Sequence, residues 1–108
     1  MKTIWKFPLV DGLAYFASRV PLELPRGARP LTVQMQRNTP TLWAEVDPSA
    51  PTERRTVYIE ATGAELEHPS GVEYVSTFQA SQGALVFHVF IDPPPLAPTD
   101  SARSLGGA

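Results

Sequence analysis

Residues 31–47 read LTVQMQRNTPTLWAEVD and contain the clearest structural signal in the chain. Apolar and polar side chains alternate in Leu31–Arg37 and again in Leu42–Asp47, with the period of two that β-strands show. The four residues between these stretches, Asn38-Thr39-Pro40-Thr41, are typical of a turn. The segment therefore predicts two antiparallel strands joined by a hairpin loop.

The side chains also predict the pairing register of this hairpin. We centre the turn between Thr39 and Pro40, because apolar residues then oppose apolar residues and polar residues oppose polar ones. The predicted pairs are Val33 with Val46, Met35 with Ala44, Gln34 with Glu45 and Gln36 with Trp43. A slip of one residue breaks this agreement. We therefore expect one apolar face and one face that carries the polar residues together with Trp43.

Outside the hairpin, five further stretches alternate in the same way and are bounded by proline and glycine. They are Thr3–Phe7, Leu22–Leu24, Thr56–Ala61, Val72–Ala80 and Ala84–Ile91. Because proline interrupts helices, the 12 prolines leave room for at most one short helix, within residues 9–20. Seven short strands predict an all-β fold, a compact antiparallel β-sandwich or a small barrel.

The last predicted strand is apolar on both faces. One face carries Leu85, Phe87, Val89 and Ile91, and the other carries Val86, His88 and Phe90. Such a strand belongs in the centre of a sheet or against a partner, so we predict a homo-oligomer interface through the second face. The chain beyond it is rich in proline and small polar residues. We therefore predict a single β domain over residues 1–91 and a disordered tail over residues 92–108.

Length and composition exclude several classes of protein. The chain has 108 residues, enough for one domain, and a formal net charge of −2, which argues against general nucleic-acid or anionic-membrane binding. It has no cysteine, which excludes a disulfide framework and favours a reducing compartment. No stretch resembles a signal peptide or approaches the roughly 18 apolar residues of a membrane span. We expect a cytoplasmic protein without membrane contacts.

The polar face of the hairpin is the strongest candidate for a binding surface. It places the amides of Gln34 and Gln36 beside Trp43, with Arg37 at the end of the turn. A large aromatic side chain on a polar face often marks a contact site. The alternative is that Trp43 is covered by the N-terminal segment or belongs to a second core face.

Two adjacent arginines extend this hypothesis. Arg54 and Arg55 begin the next predicted strand and can offer a guanidinium fork to a phosphate or carboxylate. Together the six residues suit a nucleotide-like ligand, whose base stacks on the indole and whose phosphate meets an arginine. The alternative is that both arginines are simply solvated.

Catalytic and metal-binding patterns are weak by comparison. His68 lies in a polar loop, where we expect an exposed side chain without a role, and His88 is expected to bond a carbonyl or a cross-strand hydroxyl. Glu45 and Asp47 share one strand face, as two cation ligands do, but Asp47 is more typical of an Asx turn. We predict no catalytic residue, no metal and no cofactor.

The chain also resembles a known family through several blocks in a fixed order. The blocks are Lys2–Leu9, Pro25–Arg29 leading into Leu31–Gln36, Pro40–Ala44 leading into Val46–Pro48, Thr62-Gly63, Tyr74–Gln79 and Leu85–Phe90. They resemble a family of small uncharacterised bacterial and phage proteins, a domain of unknown function. Relatives are expected to carry His-Pro close behind Thr-Gly, whereas Ala64–Glu67 intervene before His68-Pro69 here. The resemblance implies a phage or prophage origin and a compact β domain, and it supplies no catalytic residue.

Three functional hypotheses follow. The first is a non-enzymatic phage-type binding protein with an anti-defence role, which sequesters a nucleotide-derived signal or occupies a host defence protein in the host cytoplasm. The alternative is an assembly accessory of the phage particle, with the last strand as the subunit interface. The third and least supported is a small enzyme that uses His88 or His68.

Overall fold

A computed structural model describes residues 1–9 and 19–95. These residues form seven β-strands and one 3₁₀ turn, which confirms the all-β prediction. The strands are β1 (Thr3–Pro8), β2 (Arg19–Pro25), β3 (Arg29–Gln36), β4 (Thr39–Val46), β5 (Thr52–Ala61), β6 (Glu73–Ala80) and β7 (Leu85–Ile91), and the 3₁₀ turn is Ser81–Gly83. The helix predicted within residues 9–20 and the tail predicted over residues 92–108 fall largely on residues outside the described ranges.

The strands form two antiparallel sheets. The first sheet has the order β1-β4-β3, and the second has the order β2-β5-β7-β6. The sheets approach most closely where β3 meets β6, and there the Ser76 hydroxyl donates to the carbonyl oxygen of Val33 at 3.0 Å. The two sheets do not close into a barrel, so the sandwich is the correct one of the two predicted architectures.

The core lies between the inner faces of the two sheets. Alternate residues of the strands meet there, among them Val33, Leu42, Val57, Val89 and Ile91, all of them 0–1% exposed. Full burial of one such side chain contributes about 1.5–3 kcal/mol. The stacked rings of Phe78 and Phe87, with centroids 5.5 Å apart, join neighbouring strands β6 and β7.

The predicted hairpin exists, but its predicted register is wrong. Val33 pairs with Leu42 and Met35 with Pro40, so the pairing is displaced by four residues from the expected one. The turn consists of only two residues, Arg37 and Asn38, with φ angles of 50° and 68°. Positive φ at both positions is the signature of a type I′ turn, which joins strands directly. Pro40 therefore lies inside β4 rather than in a loop.

Each side chain still lies on its predicted face of the sheet, because the register is displaced by an even number of residues. A shift by an even number of residues leaves every side chain on the same side of the sheet. Val33, Leu42, Ala44 and Val46 accordingly face the core, as expected.

Strand β7 occupies the centre of the second sheet, between β5 and β6. Phe87, Val89 and Ile91 are at most 2% exposed on its core face, while Leu85 at its start is 40% exposed. Val86, His88 and Phe90 on the outer face are half-buried. The two-sided apolar pattern thus corresponds to a central strand, one of the two arrangements it predicted.

Candidate functional site

The outer face of the first sheet is built from alternate residues of β1, β4 and β3. Cross-strand pairing places Lys6, Trp43 and Thr32 in one row, and Pro8, Thr41 and Gln34 in the next. Gln36 pairs with Thr39 at the turn end of the same face. The structure therefore brings Gln34, Gln36 and Trp43 onto one surface, although their cross-strand partners differ from those predicted.

This face contains a shallow depression at the hairpin end. Its volume is about 440 Å³, and it is lined by Lys6, Pro8, Gln36, Arg37, Thr39 and Thr41. The ammonium group of Lys6 donates to Oε1 of Gln36 at 3.0 Å, so the two side chains span the strand between them. The hydroxyl of Thr41 donates to the carbonyl oxygen of Thr39 at 3.1 Å. The lining thus combines two cations, an amide and two hydroxyls.

The two cations differ from most others in the described part of the chain because no carboxylate neutralises them. Five ion pairs use five of the six other basic residues described: Lys2–Glu45, Arg29–Glu45, Arg26–Glu53, Arg54–Glu23 and Arg55–Glu73. Arg19 donates to the main-chain oxygen of Glu67 and lies 5.5 Å from the ring of Tyr58. Lys6 has only an amide partner, and Arg37 is exposed with no described partner. Their charge is therefore available to an anion.

The backbone of Arg37 is held in the left-handed region, at a φ of 50°. This region is costly for residues with a Cβ atom, and type I′ turns favour asparagine or glycine there. Backbone strain of this kind concentrates at functional sites. The Arg37 side chain makes no hydrogen bond or ion pair with a described residue, so no structural contact accounts for an arginine at this strained position.

Trp43 is half-buried in the middle of the same face, beside the depression. Its indole N–H makes no hydrogen bond to a described residue, and Lys6 and Thr32 flank it on the adjacent strands. The alternative that Trp43 belongs to a second core face does not fit this position on the outer surface. The ring offers a partly exposed stacking surface.

The structure does not bring Arg54 and Arg55 to this surface, because β5 belongs to the second sheet. Arg54 is exposed and paired with Glu23 at 3.3 Å. Arg55 is only 1% exposed, and its guanidinium donates to the carbonyl oxygens of Ala28 and Asp92, each at 2.9 Å. Arg55 is therefore committed to structural contacts, and its predicted ligand role is corrected.

The residues predicted as an interface, Val86, His88 and Phe90, are half-buried, and Phe90 is partly covered by side chains of the same chain. Phe90 contacts the ring of His68, with centroids 4.4 Å apart, and the ring of Tyr74, with centroids 5.7 Å apart. These two contacts cover part of the outer face of β7 without a partner chain. The homo-oligomer and the assembly role remain predictions.

His88 is held between two hydroxyls, as expected for a cross-strand histidine. Its Nε2 lies 2.7 Å from the hydroxyl of Thr62, and its Nδ1 lies 3.0 Å from that of Thr77. The Thr62 hydroxyl donates to the carbonyl oxygen of Val86, so it accepts from Nε2–H of His88. The phenol of Tyr74, 2.6 Å from Thr77, completes the chain of hydrogen bonds.

The remaining candidates also have structural roles. His68 is half-buried against Phe90 rather than exposed, and its Nε2 has no hydrogen-bond partner. Asp47 forms the predicted Asx turn, because its carboxylate accepts from the N–H of Ser49 at 3.0 Å and from its hydroxyl at 2.7 Å. These two bonds hold the pKa of Asp47 below its ordinary value.

Sequence reasoning missed Lys6, Thr39 and Thr41 as members of the site. The alternation in β1 does place Lys6 opposite the apolar face, which was a usable signal. Knowing that β1 pairs with β4 was also necessary, and strand order is not visible in local periodicity.

A model of the family described as Domain of unknown function (DUF7352) matches residues 1–99. The chain belongs to this family. All seven strands lie within the matched span, so the surface described above is part of the DUF7352 domain. No curated protein and no solved structure matches the chain. Within residues 1–9 and 19–95, no helix has the length and apolar character needed to cross a membrane.

Proposed function

We propose that the protein binds a nucleotide-like anion on the outer face of the first sheet and retains it without converting it. One observation carries this proposal. Lys6 and Arg37, two cations without a carboxylate partner among the described residues, line the same depression beside Trp43. Unneutralised positive charge that converges on a concave surface favours a phosphate-bearing ligand.

Each group on the face has a distinct part in such binding. The guanidinium of Arg37 can form two parallel hydrogen bonds to a phosphate, while Lys6 acts as a point charge. The amides of Gln34 and Gln36 can both donate to and accept from a base edge. Trp43 offers a stacking surface for the base, which is sequence-tolerant because every base has a π-face.

The side chains in the depression also favour retention over reaction. Lysine and arginine are protonated near neutral pH, and amides and threonine hydroxyls are weak bases and nucleophiles without an activating partner. His88 lies on the second sheet and has both ring nitrogens bonded. We accordingly propose a sequestering protein rather than an enzyme.

The resemblance to phage proteins supplies the biological setting of the proposal. A small domain that holds a nucleotide-derived signal would lower its free concentration in the host cytoplasm and so oppose a defence system that depends on it. This setting depends on the resemblance, whereas the ligand class depends on the geometry of the face.

The ligand class is tested by thermal unfolding with nucleoside monophosphates, diphosphates and cyclic dinucleotides. A ligand present at about 100 times its Kd should stabilise the protein by about 2.7 kcal/mol. Arg37→Ala and Lys6→Ala should lose this stabilisation. Arg54→Ala is the matched control, because it removes the same charge from an exposed position on the other sheet.

A second readout tests whether the purified protein already carries its ligand. Heat denaturation should release a phosphate-bearing molecule that mass spectrometry detects, and Arg37→Ala protein should release much less. If wild-type protein releases nothing and no nucleotide raises its melting temperature, the proposal is wrong. Equal losses in Arg37→Ala and Arg54→Ala would also contradict it.

A further inference from the structure

The two sheets end in four terminal strands, β1 and β3 in the first sheet and β2 and β6 in the second. A terminal strand leaves one row of backbone N–H and C=O groups unpaired, and such a row can bind a strand of another chain. β3 and β6 lie against each other, with the hydroxyls of Thr32 and Ser76 3.1 Å apart. The free edges of β1 and β2 therefore remain to be compared.

The edge of β2 is protected by proline. The N–H of Arg26 donates to the carbonyl oxygen of Pro51 at 2.7 Å, which continues the pairing of β2 with β5. Because backbone groups point to alternate sides along a strand, Pro21 and Pro25 lie at positions that face away from β5. Proline has no N–H, so these two positions offer no donor to a further strand.

The edge of β1 has no such protection. The N–H of Leu9 donates to the carbonyl oxygen of Pro40 at 2.8 Å, and by the same alternation the backbone groups of Ile4 and Lys6 face away from β4. Both residues have an N–H to donate. The Lys6 side chain, which would otherwise block the edge, extends in the opposite direction and contacts Gln36 on β3.

The side chains of β1 add apolar surface on both faces of this edge. Ile4 is 58% exposed on the outer face, and Trp5 is 41% exposed on the face that Ala44 shares with the core. Covering a large aromatic ring and an aliphatic side chain is favourable, because both are removed from water. An unprotected strand edge with apolar side chains on both faces is suited to bind another β-strand.

Charge and symmetry favour a second copy of β1 as that strand. In an antiparallel pair related by a two-fold axis, each side chain opposes one on the same face, so the pair is centred on a single residue. Centring on Ile4 places Lys2 opposite Lys6, and centring on Lys6 places Lys6 opposite itself. Both registers oppose like charges, which is unfavourable. Centring on Trp5 avoids this, because Ile4 then lies opposite Lys6.

The register centred on Trp5 also satisfies the free backbone groups. Ile4 of one copy and Lys6 of the other exchange two hydrogen bonds, and the two-fold axis repeats this pair. The two Trp5 side chains meet at the axis in a non-hydrogen-bonded pair, the kind with the shorter distance between strands. Pro8 lies opposite Lys2 at the end of the ladder, where a depression of about 440 Å³ beside Lys2 and Ile4 leaves room for its ring.

We propose that two copies of this chain pair antiparallel through the free edges of β1, with Trp5 at the two-fold axis. The first sheets of the two copies then form one continuous sheet. This interface differs from the one predicted on the outer face of β7. It is also independent of the proposed anion binding, since neither Ile4 nor Trp5 lines the depression at the hairpin end.

The test is the dimer dissociation constant of the full chain, measured by analytical ultracentrifugation. Ile4→Lys and Ile4→Glu remove the same exposed side chain, but they place opposite charges across from Lys6 of the second copy. Ile4→Lys should therefore dimerise about tenfold more weakly than Ile4→Glu. Leu66→Lys is the control and should dimerise as wild type does, because it adds the same charge at a leucine that is 61% exposed between β5 and β6.

Hydrogen exchange locates the interface on the strand. The amides of Ile4 and Lys6 should exchange slowly in the wild-type dimer and faster when the protein is diluted below its dissociation constant. The amide of Lys6 should also exchange faster in Ile4→Lys protein at the same concentration. Exchange of these amides that is independent of protein concentration would contradict the pairing.

Three results of the ultracentrifugation overturn the proposal. The first is a wild-type chain that is still monomeric at about 1 mM, where even a weak complex forms, and this would leave the edge to a strand of a different protein. The second is an equal dissociation constant for Ile4→Lys and Ile4→Glu. The third is a loss of affinity in Leu66→Lys as large as that in Ile4→Lys.

Discussion

At the scale of single residues, the adjacent arginines Arg54 and Arg55 have opposite environments. Alternation along β5 places Arg54 in solvent and Arg55 between segments that are distant in sequence. The guanidinium of Arg55 joins the turn before β3, the end of β7 and the start of β6, through Ala28, Asp92 and Glu73. Burial lowers the pKa of Arg55, and the nearby carboxylates, led by Glu73, oppose this shift.

The first prediction compares the two arginines by substitution. Arg55→Met should lower the free energy of unfolding by about 2–4 kcal/mol, because the carbonyl oxygens of Ala28 and Asp92 lose their donors. Arg54→Met should cost less than about 1 kcal/mol, since it breaks one exposed ion pair. Urea denaturation measures both values. Similar losses for the two variants would contradict the structural role of Arg55.

The second prediction concerns Asp47 and pH. Its pKa in the folded protein lies below the ordinary value of 3.8, because Ser49 donates two hydrogen bonds to the carboxylate. The resulting stability is present above pH 3.8 and is lost as the pH falls through the folded-state pKa. Asp47→Ala should therefore melt below the wild type at neutral pH, and the difference should shrink on acidification below pH 3.8. A pH-independent difference would contradict this origin.

At the scale of elements, the β3–β4 hairpin shows what local sequence pattern can and cannot predict. The period of two assigned Val33 and Leu42 to the core face correctly, because that assignment depends only on odd and even positions. The register was wrong by four residues, since even shifts preserve the faces equally well. The deciding feature was the left-handed backbone of Arg37 and Asn38, and arginine is not a residue that suggests it.

The third prediction separates the structural and functional roles of this turn. Arg37→Asn should raise the free energy of unfolding by about 0.5–1 kcal/mol, because asparagine tolerates positive φ better than arginine does. The same substitution should abolish nucleotide binding, because the guanidinium is lost. Denaturation and ligand titration of one variant give both results. The proposal that Arg37 accepts backbone strain in order to bind the ligand would be contradicted if Arg37→Asn protein were less stable than wild type. It would also be contradicted if the variant bound nucleotide as well as wild type does.

In the second sheet too, some features were predicted from the sequence and others were not. The two-sided apolar pattern of β7 allowed a central strand or a partner interface, and the structure shows the central strand. A cross-strand hydroxyl was one of the two partners predicted for His88. The half-buried position of His68 was not, because it depends on a loop folding back over Phe90. The burial of Arg55 was not predicted either, because its partners Ala28 and Asp92 are distant in the sequence. Contacts between distant segments leave no local periodicity.

At the scale of the whole molecule, the small net charge is the sum of a mainly basic first sheet and a mainly acidic second sheet. The first sheet and its ends carry four cations, Lys2, Lys6, Arg29 and Arg37, against Glu45 and Asp47. The second sheet and its loops carry more acids than bases. The overall charge of −2 argued against a general nucleic-acid binder but could not reveal a local cationic face.

The face around Trp43 and Arg37 is proposed to bind a nucleotide-like anion. Trp5→Phe leaves Trp43 as the single tryptophan, so its fluorescence reports on this face alone. Titration of Trp5→Phe protein with nucleoside mono- and diphosphates and cyclic dinucleotides should give a saturable fluorescence change for at least one of them. Adding Arg37→Asn should remove that change, and adding Arg54→Ala should leave it intact. An unchanged signal across all these nucleotides, or an equal response when Arg37 is replaced, would contradict the claim.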